Sequence, residues 1–455
     1  MQVDRMVAYL KARGLSYILP ALSGNGKMLE TLIDKLKERA SAKSMENMES
    51  QNPEKKQKRA DSMNMFFTMV KRNLPRFSTN TQRKLAFNMF FNHLTLGQDA
   101  RDRYCGKYGV PPPFLLVISP SMKCDLNCFG CYSWEYDKSK ELTPEEVSDV
   151  IRQAKEEMGI YFITITGGEP TIWPHLFDIL EEHDDVFFQI YTHGMNIDDA
   201  MAKKMADLGN VHPAISIEGG PRETNERRGE GAYDKILASM DRLSREGVMF
   251  GFSVTHTTKN HHAITSEEFI DELITHGPSF GWYFQYIPTG KNPDPSLIPS
   301  AEQRAERFLA IEKFRSTRPI LVYDFWGDGE ATEGCLAWGR KYLHVTATGM
   351  VEPCVFIHMA KDNIREKSLV EIVNSPCFTE ARSLQPFNED HRRPCCIIDN
   401  TEVLPYLYKK YDLVPTHEGG ERIVTDLHEV LARNCESYKC ELERLTAKTE
   451  AGAHS

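Results

Sequence analysis

The chain reads as an α/β protein on a parallel sheet, with a helical stretch before it and a small cysteine-rich α+β segment after it. Three observations carry that reading. From Phe114, strand-like runs (114–119, 161–166, 186–191, 212–217, 249–256 and 281–287) alternate with helix-like ones such as 143–158, 197–207 and 233–246. Residues 1–110 carry helical periodicity instead, in Met1–Leu19, Lys27–Ala40 and two stretches near 61–74 and 80–98, until Pro111-Pro112-Pro113 breaks it. Past residue 330 come Cys335, Cys354, Cys377, Cys395, Cys396, Cys435 and Cys440. The expected division is a helical extension (1–110), a parallel α/β core (111–320) and a cysteine-rich domain ending in a helix (321–455). Residues 41–60, rich in Lys, Glu and Gln, read as a linker or an exposed helix.

Composition narrows the class. Of 455 residues, 41% are hydrophobic and 26% charged, the balance of a soluble globular protein. A net charge of −10 argues against a nucleic-acid partner. Asp4, Arg5 and Lys11 interrupt any signal sequence, and no apolar run reaches the roughly eighteen residues of a spanning helix, so a cytoplasmic location is expected. Eleven cysteines in that setting point to metal ligation rather than disulfides.

The most informative residues are Cys124, Cys128 and Cys131, in a Cys-x3-Cys-x2-Cys run directly after the first strand-like segment. A four-iron cluster normally takes four thiolates. Three in one tight loop grip three irons and leave the fourth open to a small molecule, which suits catalysis better than electron carriage. Structural zinc would want a second cysteine pair or a histidine partner nearby, and buried spectator cysteines seldom fall at this spacing.

The triplet resembles the signature of radical S-adenosylmethionine (SAM) enzymes. Gly167-Gly168-Glu169-Pro170, after the second strand-like run, resembles that family's turn for the amino group of the cofactor. Two glycines allow close backbone approach, and a glutamate offers an acceptor to an ammonium. The resemblance implies an open six-unit (β/α) barrel, with the site at the carboxyl ends of its strands. Ser216-Ile217-Glu218-Gly219 resembles the family's Ser-x-Asp-Gly, with Glu218 in place of the aspartate. Ser216 would help hold the cofactor, and Arg228 would pair with its carboxylate. Two departures stand out. Gly130, between Phe129 and Tyr132, occupies a position often aromatic in the family, and His193 in Thr192-His193-Gly194 replaces a common asparagine. A lone histidine there reads first as a structural hydrogen-bonder.

Cys335 and Cys354 flank a hairpin-like segment, Lys341–Val345 with a turn at Thr348-Gly349, resembling the opening of the SPASM or twitch extension. The dense four-cysteine run of a full SPASM pattern is missing. One auxiliary iron–sulfur cluster is therefore expected on Cys335, Cys354 and one of the vicinal pair, preferably Cys395, since adjacent side chains point apart. Cys435, Cys440 or an open iron would complete it, while Cys105 and Cys377 read as spectators.

The resemblance implies reductive cleavage of SAM at a [4Fe-4S] cluster, hydrogen abstraction from an unactivated carbon, and a low-potential donor such as flavodoxin or ferredoxin. Two substrate classes fit. One is a peptide, although no winged-helix leader-binding module precedes residue 110. The other is a lipid: between Glu54 and Lys84 nine basic residues face only Glu54 and Asp61, interleaved with Met63, Met65, Phe66, Phe67, Met69 and Val70. Through residues 54–91 such a stretch could lie at the inner membrane surface, or simply pack on the barrel. A non-catalytic redox sensor is the remaining alternative. Tyr283, Phe284, Gln285 and Tyr286, with Asp324, Phe325 and Trp326, are the candidate cavity walls.

Overall fold

The computed structural model describes residues 53–453 together with Asp34, Lys37 and Glu38. The expected helix Met1–Leu19 and most of Lys27–Ala40 lie outside the described residues. The helical part comprises α1 (Pro53–Asn73), α2 (Thr79–Lys84) running into a π-helical segment Leu85–Leu96, and α3 (Gln98–Tyr108). Part of the segment read as a linker or an exposed helix is thus the first turns of α1.

The core alternates strands and helices: β1 (Leu116–Ile118), α4 (Pro144–Met158), β2 (Phe162–Ile165), α5 (Leu176–Glu182), β3 (Phe187–Thr192), α6 (Asp199–Leu208), β4 (Val211–Ser216), α7 (Pro221–Arg228), α8 (Ala232–Glu246), β5 (Gly251–His256), α9 (Glu267–His276) and β6 (Phe280–Gln285). All six expected strands are present. Beyond them lie α10 (Ala301–Thr317) and β7 (Leu321–Asp324), which pairs parallel with β6 and carries the sheet past residue 320. Helix starts follow their caps: Thr143 and Glu146 close a capping box on α4, and Ser300 and Gln303 do so on α10.

The sheet does not stop at β1. β8 (His344–Val345) pairs parallel with β1 and antiparallel with β9 (Val351–Glu352), giving the order β7-β6-β5-β4-β3-β2-β1-β8-β9 among the described residues. The hairpin between Cys335 and Cys354 is therefore continuous with the barrel sheet. A buried polar chain fastens the join. His344 sits with Nε2 2.7 Å from Ser119 Oγ and Nδ1 2.7 Å from Glu352 Oε2. Tyr136 donates to Glu352 Oε1 at 2.6 Å. Burial pushes the Glu352 carboxyl up, but His344 and the other donors outweigh it and hold the group below its usual range. After the hairpin, β10 (Met359–Ala360) pairs with β11 (Val414–Pro415), and α11 (His428–Ala453) packs on α10.

The N-terminal helices close the amino-terminal mouth of the barrel. Phe67, Met69 and Val70 of α1, with Leu74, Phe77 and Leu85, are buried against Phe187, Met249, Phe280 and Leu321 at the strand starts. Asn88 and Asn92 donate to the carbonyls of Val186 and Asp185. The apolar residues that suggested an interfacial anchor are thus largely packed on the barrel. No described helix is long and apolar enough to cross a membrane. Phe67 is 2% exposed, so Phe67→Ala is expected to cost about 3–5 kcal/mol, read as a lower denaturant midpoint.

Candidate active site

The Cys124–Cys131 loop leaves β1 and the Gly167–Pro170 turn leaves β2, so both stand at the carboxyl edge of adjacent parallel strands. They are pressed together. Gly168 N–H donates to Ser121 O at 3.1 Å and Glu169 N–H to Lys123 O at 2.8 Å. A Cβ on Gly168 would lie 1.9 Å from Lys123 O, and one on Gly167 (φ +123°) 2.3 Å from Ser121 O. Only glycine fits either position.

Glu169 is buried and held by the neighbouring strand. Its Oε1 accepts from Thr171 N–H (2.9 Å), Thr171 Oγ1 (2.7 Å) and Thr192 Oγ1 (2.6 Å), and its Oε2 from His193 N–H (2.9 Å). All three loop cysteines are partly exposed. Burial pushes the Cys124 thiol up to about 12 and raises Cys128, against the pull of the nearby Arg228 and Arg227. Leu126 N–H already points at Cys124 Sγ, 3.4 Å away.

At the end of β4, Ser216 Oγ lies 3.3 Å from Ser253 Oγ. Arg228 is bonded to Glu218. Its Nη2 and Nε donate to Glu218 Oε1 at 2.5 and 3.1 Å, and Arg227 Nη1 donates to Glu218 Oε2 at 2.7 Å. The extra methylene of Glu218 relative to aspartate lets one buried carboxylate take both guanidinium groups. At Gly130 (φ +61°), a Cβ would meet the Tyr286 ring at 2.7 Å. The Tyr286 ring, on the residue after β6, packs against position 130.

Cys335, Cys354, Cys395 and Cys396 line one cavity, walled by Phe325, Trp326, Tyr342 and Pro394. Cys396 is the member that the vicinal-pair argument set aside. That argument holds for extended chain, but these two residues lie in a turn where Asp399 and Asn400 N–H both bond Cys395 O at 3.0 Å. Cys435 instead donates to Asp399 O, Cys440 is exposed on α11, and neither lines the cavity. Donors already aim at the sulfurs: Tyr342 O–H to Cys354 Sγ at 2.8 Å, Phe356 N–H to the same atom at 3.5 Å, and Ile397 N–H to Cys395 Sγ at 3.3 Å. Such bonds orient and stabilise thiolate ligands. Among the described residues, the group of ligating atoms found within 4.8 Å of one another is Cys124, Asp125 and His193, and it includes none of these four cysteines. Their wider spread suits a cluster better than one tetrahedral zinc.

Between the two cysteine groups stand aromatic rings. Tyr132 meets Phe356 at 6.0 Å and Phe356 meets Trp326 at 5.2 Å, while Phe284 touches Phe325 (5.3 Å) and Tyr191 (5.6 Å). Strand alternation sorts the remaining candidates. Tyr283 and Gln285 face the helix layer, bonded to Ile264 O and Arg307, and Asp324 is locked in a buried ion pair with Arg307 at 3.0 Å. Phe284, Phe325 and Trp326 face inward.

Residues 118–271 match the family model described as the Radical SAM superfamily, and residues 335–397 match one described as an iron–sulfur cluster-binding domain (SPASM). The chain is a radical SAM enzyme: with reductant it cleaves S-adenosylmethionine at a four-iron cluster and abstracts hydrogen through the 5′-deoxyadenosyl radical. More particularly, it belongs with the members that carry a SPASM extension for auxiliary iron–sulfur binding. It is 26% identical over 301 residues to the AdoMet-dependent heme synthase of Methanosarcina barkeri, covering 59% of this chain and 85% of that one. It is 26% identical over 307 residues to the mycofactocin maturase MftC of Mycobacterium tuberculosis, covering 61% and 74%. The fold matches that of Streptococcus suis SuiB bound to its precursor peptide SuiA, with TM-score 0.55, 19% identity, and 64% and 72% of the two chains covered.

The thiols differ in reactivity. Cys377 is buried and burial pushes its thiol up to about 12, whereas Cys440 is exposed. Alkylation of the folded protein at mild alkaline pH is expected to label Cys440 and spare Cys377, as read by peptide mass spectrometry.

Proposed function

We propose that Cys124, Cys128 and Cys131 hold the SAM-cleaving [4Fe-4S] cluster, and that Gly167, Gly168, Glu169, Pro170, Ser216 and Arg228 bind the cofactor. In this reading Cys335, Cys354 and Cys395, with Cys396 as the fourth thiol, hold one auxiliary cluster. When bound, the first cluster and SAM supply the 5′-deoxyadenosyl radical, and the second cluster supplies an acceptor for the electron of an oxidised substrate. The chain's own groups do the aiming. Glu169 presents a fixed acceptor to the ammonium, Arg228 reaches the carboxylate while still paired with Glu218, and Tyr286 covers the adenine that Gly130 leaves bare. The aromatic walls keep water from the radical. Reducing electrons come from a flavodoxin- or ferredoxin-like donor.

The substrate in this reading is a peptide, oxidised by net loss of hydrogen. The observation that carries it is a run of aromatic contacts, Tyr132 to Phe356 to Trp326, that leads from the triplet loop to the cavity lined by Cys335, Cys354, Cys395 and Cys396. The peptide class is supported by relatives whose names place them on peptides: SuiB was captured with its precursor, and PqqA peptide cyclase of Gluconobacter oxydans is 25% identical over 285 residues. The lipid reading and its membrane contact lose support because Phe67, Met69 and Val70 are buried.

Anaerobic reconstitution is expected to give about eight irons per chain, two four-iron clusters. Dithionite and SAM should then yield 5′-deoxyadenosine, which falls to background in Cys128→Ala. Short peptides encoded beside the gene are the substrate test. One of them should accelerate 5′-deoxyadenosine formation and lose two hydrogens by mass spectrometry. Acceleration by lipid vesicles alone would overturn the peptide assignment.

A further inference from the structure

Tyr342 brings the only side-chain hydroxyl to the auxiliary cavity, counted among the described residues that line it. The side chain is buried, and its oxygen lies 2.8 Å from Cys354 Sγ. The backbone fixes this position. Tyr342 N–H donates to Leu336 O at 3.1 Å and Gly339 N–H donates to Tyr342 O at 3.0 Å, which folds the residue back onto the turn that follows Cys335. The ring stands edge-on to Phe325, with 6.1 Å between centroids. The hydroxyl therefore meets the sulfur without further ordering of its ring.

Phe356 N–H reaches the same sulfur from 3.5 Å, and Phe325, Trp326, Ala337 and Ile357 make the wall around it largely apolar. An electron added to a cluster in such a site is a charge placed among apolar groups. The wall therefore lowers the reduction potential, and each donor to a ligand sulfur raises it. A ligated thiolate carries no hydrogen, so the phenol is the donor once Cys354 holds a metal. The bond then strengthens as negative charge on the sulfur grows.

We infer that Tyr342 is a positioning residue for electron transfer: its hydroxyl, donating to Cys354 Sγ, raises the reduction potential of the auxiliary cluster and favours uptake of the substrate's electron there. This role rests on the reading of Cys335, Cys354, Cys395 and Cys396 as one cluster site. In a peptide oxidation that removes two hydrogens, one leaves as an atom taken by the 5′-deoxyadenosyl radical. The other leaves as a proton released to solvent and an electron taken up at the auxiliary site. The hydroxyl acts on that electron alone.

The test isolates the second site in the full-length chain. With Cys124, Cys128 and Cys131 all replaced by alanine, anaerobic reconstitution with iron and sulfide is expected to give about four irons. Background iron would overturn the cluster reading and the Tyr342 role together. Potentiometric titration of that protein, read by the electron paramagnetic resonance of the reduced cluster, sets the reference midpoint. Adding Tyr342→Phe, which removes one oxygen and keeps the ring, should leave the iron content unchanged. The midpoint should fall by about 59 mV, an approximately tenfold shift toward the oxidised form. Full iron with an unmoved or raised midpoint would overturn the tuning role and leave the cluster reading standing. Iron lost along with the hydroxyl would make Tyr342 a group that holds the cluster, and would overturn the tuning role as well.

Discussion

The contact on which the site depends is a backbone one: the turn at Gly167-Gly168 lies against the carbonyls of Ser121 and Lys123 with no room for a side chain. Two loops from neighbouring strands are thereby held at hydrogen-bond distance, and everything around them is set by that closeness. Glu169 is drawn under the cysteine loop, where Thr171, Thr192 and the His193 backbone hold it in place. The parallel pairing of β1, β2 and β3 delivers these groups in succession to one edge, where parallel α/β sheets place their ligands. Behind them the amino-terminal mouth of the barrel is plugged by α1 and its neighbours.

The alternation of strands and helices was legible because buried parallel strands are continuous apolar runs between amphipathic helices. Each of the six lies within a few residues of its expected span. β7 was harder to see: Leu321–Asp324 is short, and its outward Asp324 breaks the apolar run with an ion pair visible only in three dimensions. The cysteine triplet and the glycine turn were readable because their spacing is local. That Cys395 and Cys396 both line one cavity was not, since it depends on the turn that carries them. Nor was the capture of Arg228 by Glu218, which needs the two ends of α7 brought together.

The basic, aromatic stretch before the barrel shows how one pattern serves two ends. Its methionines and phenylalanines have the spacing of an interfacial helix, and also that of a plug. The difference lies in what waits at the other side: here a ring of apolar strand starts, Phe187, Met249, Phe280 and Leu321, complementary in shape. Of the charged residues on the plug, Arg72 and Arg76 are exposed, whereas Lys84 pairs with Asp184 and Arg59 donates to Ala331 O.

The join between β1 and β8 has a consequence for how such a chain can be cut. Because β8 supplies the outer hydrogen-bonding partner of β1, with Val117 opposite His344 and Ile118 opposite Val345, the cysteine-rich extension is not an appendage on a finished core. A barrel truncated before it would present a raw strand edge directly beneath the cysteine triplet, together with a buried Ser119 deprived of its imidazole. In this chain the extension is part of the barrel sheet rather than a detachable cassette, and cutting it away would cut into the first strand's own hydrogen bonding.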